Sequence, residues 1–374
     1  MRTIFVSMSL AAAGCLAACG STIVVHDRLA CDSGGDPSSS SGEVGSSGSD
    51  GGSTAGGGSQ GSSGDGSESS STGGEGSSTG DAGSTGGDDP SAPPQPTATC
   101  PTLVDGTVTF CPAGLAGCRD AVLVGVSTAD GGGPLALHWH GTYATPAAVL
   151  ASDSAAIAVH DMTLDEHGVM ALPVADADAL ARSGNAYPYP WWIICDPTES
   201  DCTREDDFLL AREIVACAVE QELVDRTRLT VSGFSAGAVM TSHILDREGY
   251  YAAAVSWSGG LPVAYQPITP IGSSTAVLAI HGGATDVFCA NGHCTDFAAN
   301  SAALATTLAA AGDVAVLCNH GGGHSSSMGS EGASFLALAD ATTTHPWAAY
   351  PFGAPPQTPG SGGAWTLDHY CSAP

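Results

Sequence analysis

The segment Gly233-Phe234-Ser235-Ala236-Gly237 carries a serine between two glycines. A serine hydroxyl attacks a carbonyl at neutral pH only when a neighbouring base takes its proton. The nucleophile must also stand on a sharp turn between a strand and a helix, where glycines let the backbone pass close by. Ser235 is therefore the first candidate nucleophile, and acyl transfer is the chemistry that this turn would serve.

The five-residue pattern is weak evidence by itself, because the chain contains 51 glycines. Residues 57–61 (GGSQG) and 76–80 (GSSTG) repeat it without a strand before it or a helix after it. Around Ser235, Leu229-Thr230-Val231 predicts a strand and the segment from Ala236 onward predicts a helix. This context distinguishes Ser235 from the other two serines.

A base and an orienting acid are expected downstream of the serine, in the order serine, acid, histidine. Asp286 follows a predicted strand. His324 stands at the end of a glycine run that follows the next predicted strand. The carboxyl ends of parallel strands meet at one edge of a sheet, where such folds bind ligands. We predict that Asp286 orients His324 and that His324 activates Ser235.

Each of these residues has an alternative nearby. Asp296 and Asp313 are the other acids, and we interpret them as a surface acid and a loop residue. His320 is the other base, but it directly follows the strand and can hydrogen-bond the backbone there.

The negative charge that develops on an attacked carbonyl oxygen needs N–H donors. We predict the Ala236 amide as one donor and an amide near Thr142, after the strand Leu135–Trp139, as the other. His138 and His140 alternate on this strand as metal ligands could, but no third ligand lies at a suitable position. We therefore interpret both histidines as structural and predict neither a metal nor a cofactor.

Trp191 and Trp192 end an aromatic, proline-rich segment. We name them as candidate substrate-binding residues that wall a pocket for an aromatic or polymeric substrate. Packing in the core is an equal alternative, which the sequence leaves open.

Short apolar runs alternate with helical patterns after residue 100, which is typical of βαβ units and a mainly parallel sheet. Asp206 or Asp207 can cap the first long helix. The predicted strands are Ala121–Val126, Leu135–Trp139, Ala156–His160, Val169–Pro173, Arg228–Ser232, Ala252–Trp257, Ala276–His281 and Val314–Cys318. The predicted helices are Phe208–Val224, Ala236–Asp246, Phe297–Ala311 and Met328–Ala341.

The N-terminal part of the chain has a different character. Residues 1–18 resemble a lipoprotein signal peptide, and Leu16-Ala17-Ala18-Cys19 resembles a bacterial lipobox, which implies lipidation of Cys19. Residues 19–99 follow as a lipidated N-terminus and a disordered tether rich in Gly, Ser and Asp, with too little apolar surface to offset the entropy of ordering. Residues 100–374 form the folded domain. We expect an exported protein, either a cell-envelope lipoprotein or extracellular; an ordinary secretory signal is the alternative.

The chain has 13 cysteines, and all except Cys15, Cys19 and Cys31 lie in the domain. An even number in an exported domain predicts disulfides. Short loops favour the pairs Cys195–Cys202 and Cys289–Cys294, while the pairing of the other six stays open. A zinc site is disfavoured because no two cysteines are spaced Cys-x2-Cys.

The formal net charge is −29, and all 9 basic side chains are arginines. Because phosphates require neutralisation by basic side chains, nucleic-acid binding and attraction to anionic lipids are both disfavoured. We expect contact with a membrane only through the lipid anchor, and we expect a monomer.

Together these segments resemble the exported polyhydroxybutyrate depolymerase and feruloyl/acetylxylan esterase group of α/β-hydrolases. The resemblance runs from about Pro134 to Gly353 and rests on the Ser235 turn, the segment 252–260, the loop from His281 to Asp286 and Gly322-Gly323-His324. It implies an α/β-hydrolase fold and hydrolysis of a carboxylic ester through an acyl-serine, without a cofactor.

The chain departs from that group after His140-Gly141, where Thr142-Tyr143-Ala144 replaces the usual Gly/Cys-rich loop. No separate polymer-binding domain is visible in the sequence. A catalytically silent surface-binding lipoprotein on the same fold is therefore one alternative function, and a serine peptidase is a less favoured one.

Overall fold

The computed structural model describes residues 91–115, 117–182, 189–192, 205–261, 275–290, 293–349 and 371–374. The predicted signal peptide, the predicted lipidation site Cys19, most of the predicted tether and the predicted Cys195–Cys202 pair lie outside these residues. Within the described part of the chain, no helix combines the length and the apolar character that crossing a membrane requires.

A nine-stranded sheet forms the centre of the domain, and a separate two-stranded hairpin lies beside the site described below. The strands are β1 Gly106–Phe110, β2 Arg119–Val124, β3 Leu135–Trp139, β4 Val169–Pro173, β5 Leu229–Phe234, β6 Ala253–Trp257, β7 Ala276–His281, β8 Val287–Ala290, β9 His293–Asp296, β10 Ala315–Asn319 and β11 Cys371–Ser372. The helices are α1 Pro146–Ser152, α2 Ser154–Asp165, α3 Ala177–Arg182, α4 Asp206–Glu220, α5 Ala236–Leu245, α6 Phe297–Ala311 and α7 Gly329–Ala337.

The strand order in the sheet is β1-β2-β4-β3-β5-β6-β7-β10-β11. From β4 to β10 every neighbouring pair is parallel, whereas β1, β2 and β11 join the edges in antiparallel pairs. This arrangement confirms the predicted mostly parallel α/β sheet and brings the carboxyl ends of β3, β5, β6, β7 and β10 to one edge.

The central strands β3, β4, β6 and β7 are buried at every residue, because the sheet is covered on both faces there, and they are therefore mostly apolar. Alternate residues of β3 belong to different cores: Leu135 and Leu137 pack in one apolar cluster and Ala136 in the other. Ile214 of α4 packs in the first cluster, and Phe335 of α7 packs in the second. Burial on both faces explains why β3, β4 and β7 have the bounds that their apolar runs predict.

The prediction of a strand at Ala156–His160 is wrong, because this segment lies inside α2. The Asp153 side chain caps that helix by accepting hydrogen bonds from the Ala155 and Ala156 amides. A five-residue apolar run fits a buried strand and one face of a helix equally well, so the cap decides the structure here.

The capping prediction for α4 is also wrong. Glu205 is the N-cap residue of α4 and makes no side-chain capping bond. The Asp207 carboxylate is fully buried and instead accepts hydrogen bonds from the Arg119 side chain and the Trp192 backbone amide.

Four disulfides are present in the described residues, and Cys289–Cys294 confirms the predicted local pair. The others are Cys100–Cys217, Cys111–Cys118 and Cys318–Cys371. Cys100–Cys217 closes a loop of 117 residues, which in a chain-entropy model corresponds to about 5 kcal/mol of stabilisation. Glu213 lies beside this disulfide, but both thiols are bonded to each other and offer no metal ligand.

Candidate active site

Ser235 occupies the turn between β5 and α5 with a positive φ, at φ 56° and ψ −121°, a strained conformation for a residue other than glycine. A side chain on Gly233 would place its Cβ 2.4 Å from the Gly237 backbone, and one on Gly237 would lie 1.9 Å from the Trp139 carbonyl oxygen. The glycines are therefore required because α5 passes directly against the preceding strand and against β3. The Ser235 amide donates to the Trp257 carbonyl at 2.9 Å, which fixes the turn to the neighbouring strand.

The structure brings Ser235, His324 and Asp286 into one chain of hydrogen bonds. The Ser235 hydroxyl lies 3.0 Å from Nε2 of His324, and Nδ1 of His324 lies 2.8 Å from Oδ1 of Asp286. An imidazole that bonds a buried carboxylate through Nδ1 presents its basic Nε2 to the hydroxyl. This geometry suits removal of the Ser235 proton.

Asp286 is fully buried, and its second oxygen has two donors of its own. Oδ2 accepts from the Ser258 hydroxyl at 2.8 Å and from the Gly282 amide at 2.8 Å. A Cβ on Gly282 would lie 1.8 Å from the Gly323 carbonyl oxygen, so this glycine lets the acid loop pack against the histidine loop. The carboxylate is thus held by fixed donors on one side and holds His324 on the other.

The His324 ring is held by aromatic neighbours as well as by the carboxylate. It stacks on Phe234 at 5.0 Å between ring centroids and on Phe297 at 4.6 Å. Phe234 ends β5 directly before the nucleophile, and Phe297 begins α6. These contacts limit rotation of the imidazole away from Ser235.

A cavity of about 410 Å³ opens onto Ser235 and His324. Its wall is formed by the loop after β3, the junction of α1 and α2, the β8–β9 hairpin and the loop that carries His324. The other lining residues are Gly141, Thr142, Tyr143, Ala144, Ala148, Val149, Ser152, Asp153, Phe234, Phe288 and Ser326. The volume fits a small organic molecule, with Ser235 on the wall.

The two predicted oxyanion donors belong to the residue after the nucleophile and to the loop after β3. Thr142 lines the cavity beside Ser235, and a Cβ on the preceding Gly141 would lie 3.3 Å from the Ser235 Cβ. Ala236 is the first residue of α5, so its amide has no acceptor one turn earlier within the helix. The Ala236 amide and an amide near Thr142 therefore stay the candidate donors to the oxyanion.

The sequence matches no protein-family model and no curated protein. Among solved structures, the chain is similar to sOPH, with 20% identity over 69% of this chain and 95% of that one and a TM-score of 0.53. It is also similar to pOPH, with 18% identity, coverage of 64% and 87% and a TM-score of 0.50. A poly(3-hydroxybutyrate) depolymerase, LpqC from Bordetella parapertussis, matches at 12% identity, coverage of 63% and 88% and a TM-score of 0.42.

The sOPH and pOPH structures have the α/β-hydrolase fold. The chain has the α/β-hydrolase fold. At these identities the likeness shows the fold alone, so the chemistry must be argued from the side chains of this chain.

The alternative acids and the alternative base occupy other positions in this α/β-hydrolase domain. Asp296 caps α6 by accepting from the Ala299 amide at 3.0 Å. Asp313 precedes β10 and therefore lies at the opposite edge of the sheet from Ser235; burial raises its pKa to about 6. Nδ1 of His320 accepts from the Gly322 amide at 3.1 Å, the backbone contact expected for it, and burial lowers its pKa.

The expectation that Trp191 and Trp192 wall the substrate pocket needs correction. Trp191 is fully buried, stands edge-on to Trp139 at 4.8 Å and donates from Nε1 to the His140 carbonyl at 3.1 Å. Trp192 is also buried, with its Nε1 bonded to Asp176. Neither residue lines the cavity. Trp191 therefore packs in the core and supports the loop after β3 through its hydrogen bond to the His140 carbonyl.

His138 and His140 are buried, and each is hydrogen-bonded to a neighbouring group. Nδ1 of His138 lies 2.9 Å from the Ser232 hydroxyl, and Nδ1 of His140 lies 2.9 Å from the Gly141 carbonyl. Burial lowers the pKa of His138 to about 4 and also lowers that of His140. Within the described residues, neither belongs to a group of donors that could hold a metal.

Ser258 is the functional residue that the sequence analysis did not single out. It follows β6 with a left-handed φ of 48° and donates to the buried acid. Its only sequence signal is its place after a predicted strand, in Ser258-Gly259-Gly260. That pattern predicts a turn but not the direction of the hydroxyl.

Proposed function

We propose that the protein is a serine hydrolase that cleaves carboxylic esters through an acyl-serine intermediate. The continuous hydrogen-bonded chain from Asp286 through His324 to Ser235, ending at a cavity, carries this proposal. The sharp turn that exposes Ser235 to that cavity is the second requirement for such chemistry.

In the first half of the reaction, Nε2 of His324 takes the proton of the Ser235 hydroxyl as Oγ attacks the ester carbonyl carbon. The imidazolium that forms is stabilised by the Asp286 carboxylate, which stays ionised. His324 then returns the proton to the departing alcohol oxygen as the C–O bond breaks. In the second half, a water molecule attacks the acyl-serine by the same route and releases the acid.

The carbonyl oxygen becomes negatively charged in each tetrahedral intermediate. The Ala236 amide and an amide near Thr142 are the proposed donors, and the start of α5 adds a favourable dipole for an anion. Loss of one such donor typically costs about 3 kcal/mol of transition-state stabilisation. The Trp191 bond to the His140 carbonyl supports this role indirectly, because it fixes the loop that carries Thr142.

The proposed substrate class is that of polyhydroxybutyrate depolymerases and feruloyl or acetylxylan esterases, on the strength of the sequence resemblance around Ser235. A cavity of about 410 Å³ favours a short acyl group or one end of a longer substrate. Methyl ferulate, acetylated xylan and short hydroxybutyrate oligomers form the panel that separates these possibilities.

We also propose that the domain is exported, is anchored through a lipid on Cys19 and acts as a monomer without nucleic-acid partners. The four disulfides support an oxidising compartment. Replacement of Cys19 by Ser is expected to move the full-length protein from the detergent phase to the aqueous phase of a Triton X-114 extraction. A protein that stays in the detergent phase would contradict the lipid anchor.

The direct test of the function is hydrolysis of p-nitrophenyl butyrate by the native chain and by Ser235→Ala. The expected result is turnover by the native protein and a loss of about 10³-fold or more in the variant. Ser152→Ala is the matched control, because this serine lines the same cavity but its hydroxyl bonds the Ala148 carbonyl. Equal rates for native and Ser235→Ala would contradict the proposal and favour a silent binding protein.

A further inference from the structure

One wall of the cavity carries a fixed negative charge. Asp153 lies at the junction of α1 and α2, and its Oδ1 accepts from the Ala155 amide at 2.9 Å and the Ala156 amide at 3.1 Å. Oδ2 makes no hydrogen bond with any residue that the structure describes. The capping bonds hold the carboxylate in place, so its charge cannot swing away from the cavity when a substrate enters.

The same junction is tied to the loop that carries the base. The hydroxyl of Ser154, the residue after Asp153, donates to the Ser326 carbonyl at 2.6 Å, and Ser326 lies two residues beyond His324. Asp153 therefore has a fixed position relative to His324 and Ser235. A charge held in this way acts on every substrate that reaches the nucleophile.

No side chain with a permanent positive charge balances this carboxylate among the residues that the structure describes at the cavity; His324 is the proposed base of the reaction. None of the residues that line it is an arginine, and the chain contains no lysine. Four arginines form ion pairs elsewhere: Arg119 with Asp176 and Asp207, Arg212 with Glu248, Arg228 with Glu166 and Arg247 with Glu205. A negatively charged substrate would meet Asp153 and a chain of net charge −29, and no arginine among the described lining residues would pair with its charge.

The Tyr143 side chain adds a group that favours a positively charged ligand. Its side chain is 68% exposed and lies on the cavity wall, in a turn closed by the Ala144 amide on the Gly141 carbonyl at 3.2 Å. An exposed aromatic ring attracts cations through its face. The cavity thus offers a carboxylate and an aromatic ring, which is suitable chemistry for a neutral or cationic ligand.

We propose that this site accepts uncharged and cationic esters and rejects esters that carry a negative charge on the acyl or the alcohol group, and that Asp153 determines this selectivity. The inference rests on the proposed ester hydrolysis. Two like charges several ångströms apart in a partly hydrated cavity repel enough to change relative rates by about three- to thirtyfold. Added salt weakens that repulsion because it shortens the range of the interaction.

The experiment measures kcat/KM of the full-length protein for two matched sets of substrates. The acyl set is p-nitrophenyl valerate, the mono-p-nitrophenyl ester of glutaric acid and p-nitrophenyl 4-(trimethylammonio)butyrate. The alcohol set is phenyl butyrate and its 4-carboxylate and 4-trimethylammonio derivatives. Each rate is divided by that of the neutral member, in the native protein and in Asp153→Asn, so that the intrinsic reactivity of each ester cancels between the two proteins.

Asp153→Asn tests the charge of residue 153 alone. Asparagine caps a helix about as well as aspartate, so the variant loses the charge and retains the cap. The expected result is a rise of about three- to thirtyfold in the anionic-to-neutral ratio of at least one set, and a fall in the corresponding cationic ratio. Asp165→Asn, at the far end of the same helix, makes the same change in total charge and is expected to leave both ratios unchanged. In the native protein, discrimination against the anion is expected to shrink at about 1 M salt.

The outcomes separate the two proposals. If the native protein hydrolyses the neutral esters but accepts anionic esters equally well in both sets, the selectivity inference is overturned and the esterase proposal stands. The selectivity inference is also overturned if the anionic-to-neutral ratio of kcat/KM changes equally in Asp153→Asn and Asp165→Asn. The overall charge of the protein would then be the cause of the selectivity. Absence of hydrolysis of every ester overturns both proposals.

Discussion

The Ser258 hydroxyl donates a hydrogen bond of 2.8 Å to Oδ2 of Asp286, while Oδ1 of the same carboxylate holds His324. Ser258 thus acts on the nucleophile through two intermediaries, as a positioning residue. Its backbone has a left-handed φ of 48°, a conformation that glycine adopts without strain. This combination allows its structural and functional contributions to be separated.

We predict that Ser258→Gly keeps the thermal stability of the native protein within a few degrees but lowers kcat/KM for p-nitrophenyl butyrate by about tenfold or more. Hydrogen bonds to a charged group contribute about 1.5–3 kcal/mol, and glycine removes this one while relieving the backbone. Ser258→Ala is expected to show the same loss of activity with lower stability. Full activity in the glycine variant would show that the hydroxyl does not position the acid.

Asp286→Asn is expected to fold, because the amide has nearly the shape of the carboxylate, and to lower kcat by about 10³- to 10⁴-fold. The asparagine no longer stabilises an imidazolium and favours the wrong tautomer of His324. Steady-state kinetics at neutral pH measure the effect, with Asp296→Asn as the matched control, since Asp296 caps α6 and asparagine retains a cap. A large loss in the control together with a small loss in Asp286→Asn would reverse the assignment of the acid.

Gly237→Ala tests the packing of the turn instead of its chemistry. The new Cβ would lie 1.9 Å from the Trp139 carbonyl oxygen, so α5 would have to move away from β3. We expect a loss of about 3 kcal/mol or more in the free energy of unfolding, measured by urea denaturation. Gly132→Ala is the control, because its Cβ would meet only a side-chain atom at 3.4 Å; equal stability of the two variants would contradict the close approach.

Burial makes His243 a source of pH-dependent stability. Burial, followed by the nearby Arg247, lowers the His243 pKa from 6.5 to about 4. Because the folded-state pKa lies below the unfolded one, its contribution is complete above pH 6.5 and is lost as the pH falls from 6.5 towards 4. The free energy of unfolding is therefore expected to fall by about 2 kcal/mol between pH 7 and pH 4.5 on account of this group.

His243→Met is the variant that tests this pH dependence. Nε2 of His243 makes no hydrogen bond with the described residues, so methionine can replace the ring with little polar loss. Urea denaturation at pH 7 and pH 4.5 gives the change in the free energy of unfolding between the two pH values. We expect this change to be smaller in the variant than in the native protein by about 2 kcal/mol. An unchanged difference would mean that His243 takes up no proton on unfolding in this range.

Several elements could be predicted from the sequence because one strong local signal determines each of them. β3, β4, β7 and α6 have the predicted bounds, since buried parallel strands are apolar throughout and Asp296 marks the start of its helix. The Ala156–His160 segment was mispredicted because its apolar run is too short to reveal its period. The cap at Asp153 that decides its structure was overlooked.

The order of the site residues along the chain could be predicted from the sequence, but the contacts that support them could not. Ser235, Asp286 and His324 each follow a predicted strand, so parallel topology brings them to one edge. Ser258 and the buried Trp191 depend on side-chain directions and on contacts between residues far apart in the chain. Local pattern contains no information about either.

The central claim is that Ser235 is an activated nucleophile. The most direct measurement is the reaction of the full-length protein with a fluorophosphonate, followed by mass spectrometry of the labelled peptide. We expect one phosphonyl group per chain on Ser235, and no label in Ser235→Ala or after prior denaturation. Absence of labelling in the folded native protein, or labelling at another residue, would contradict it.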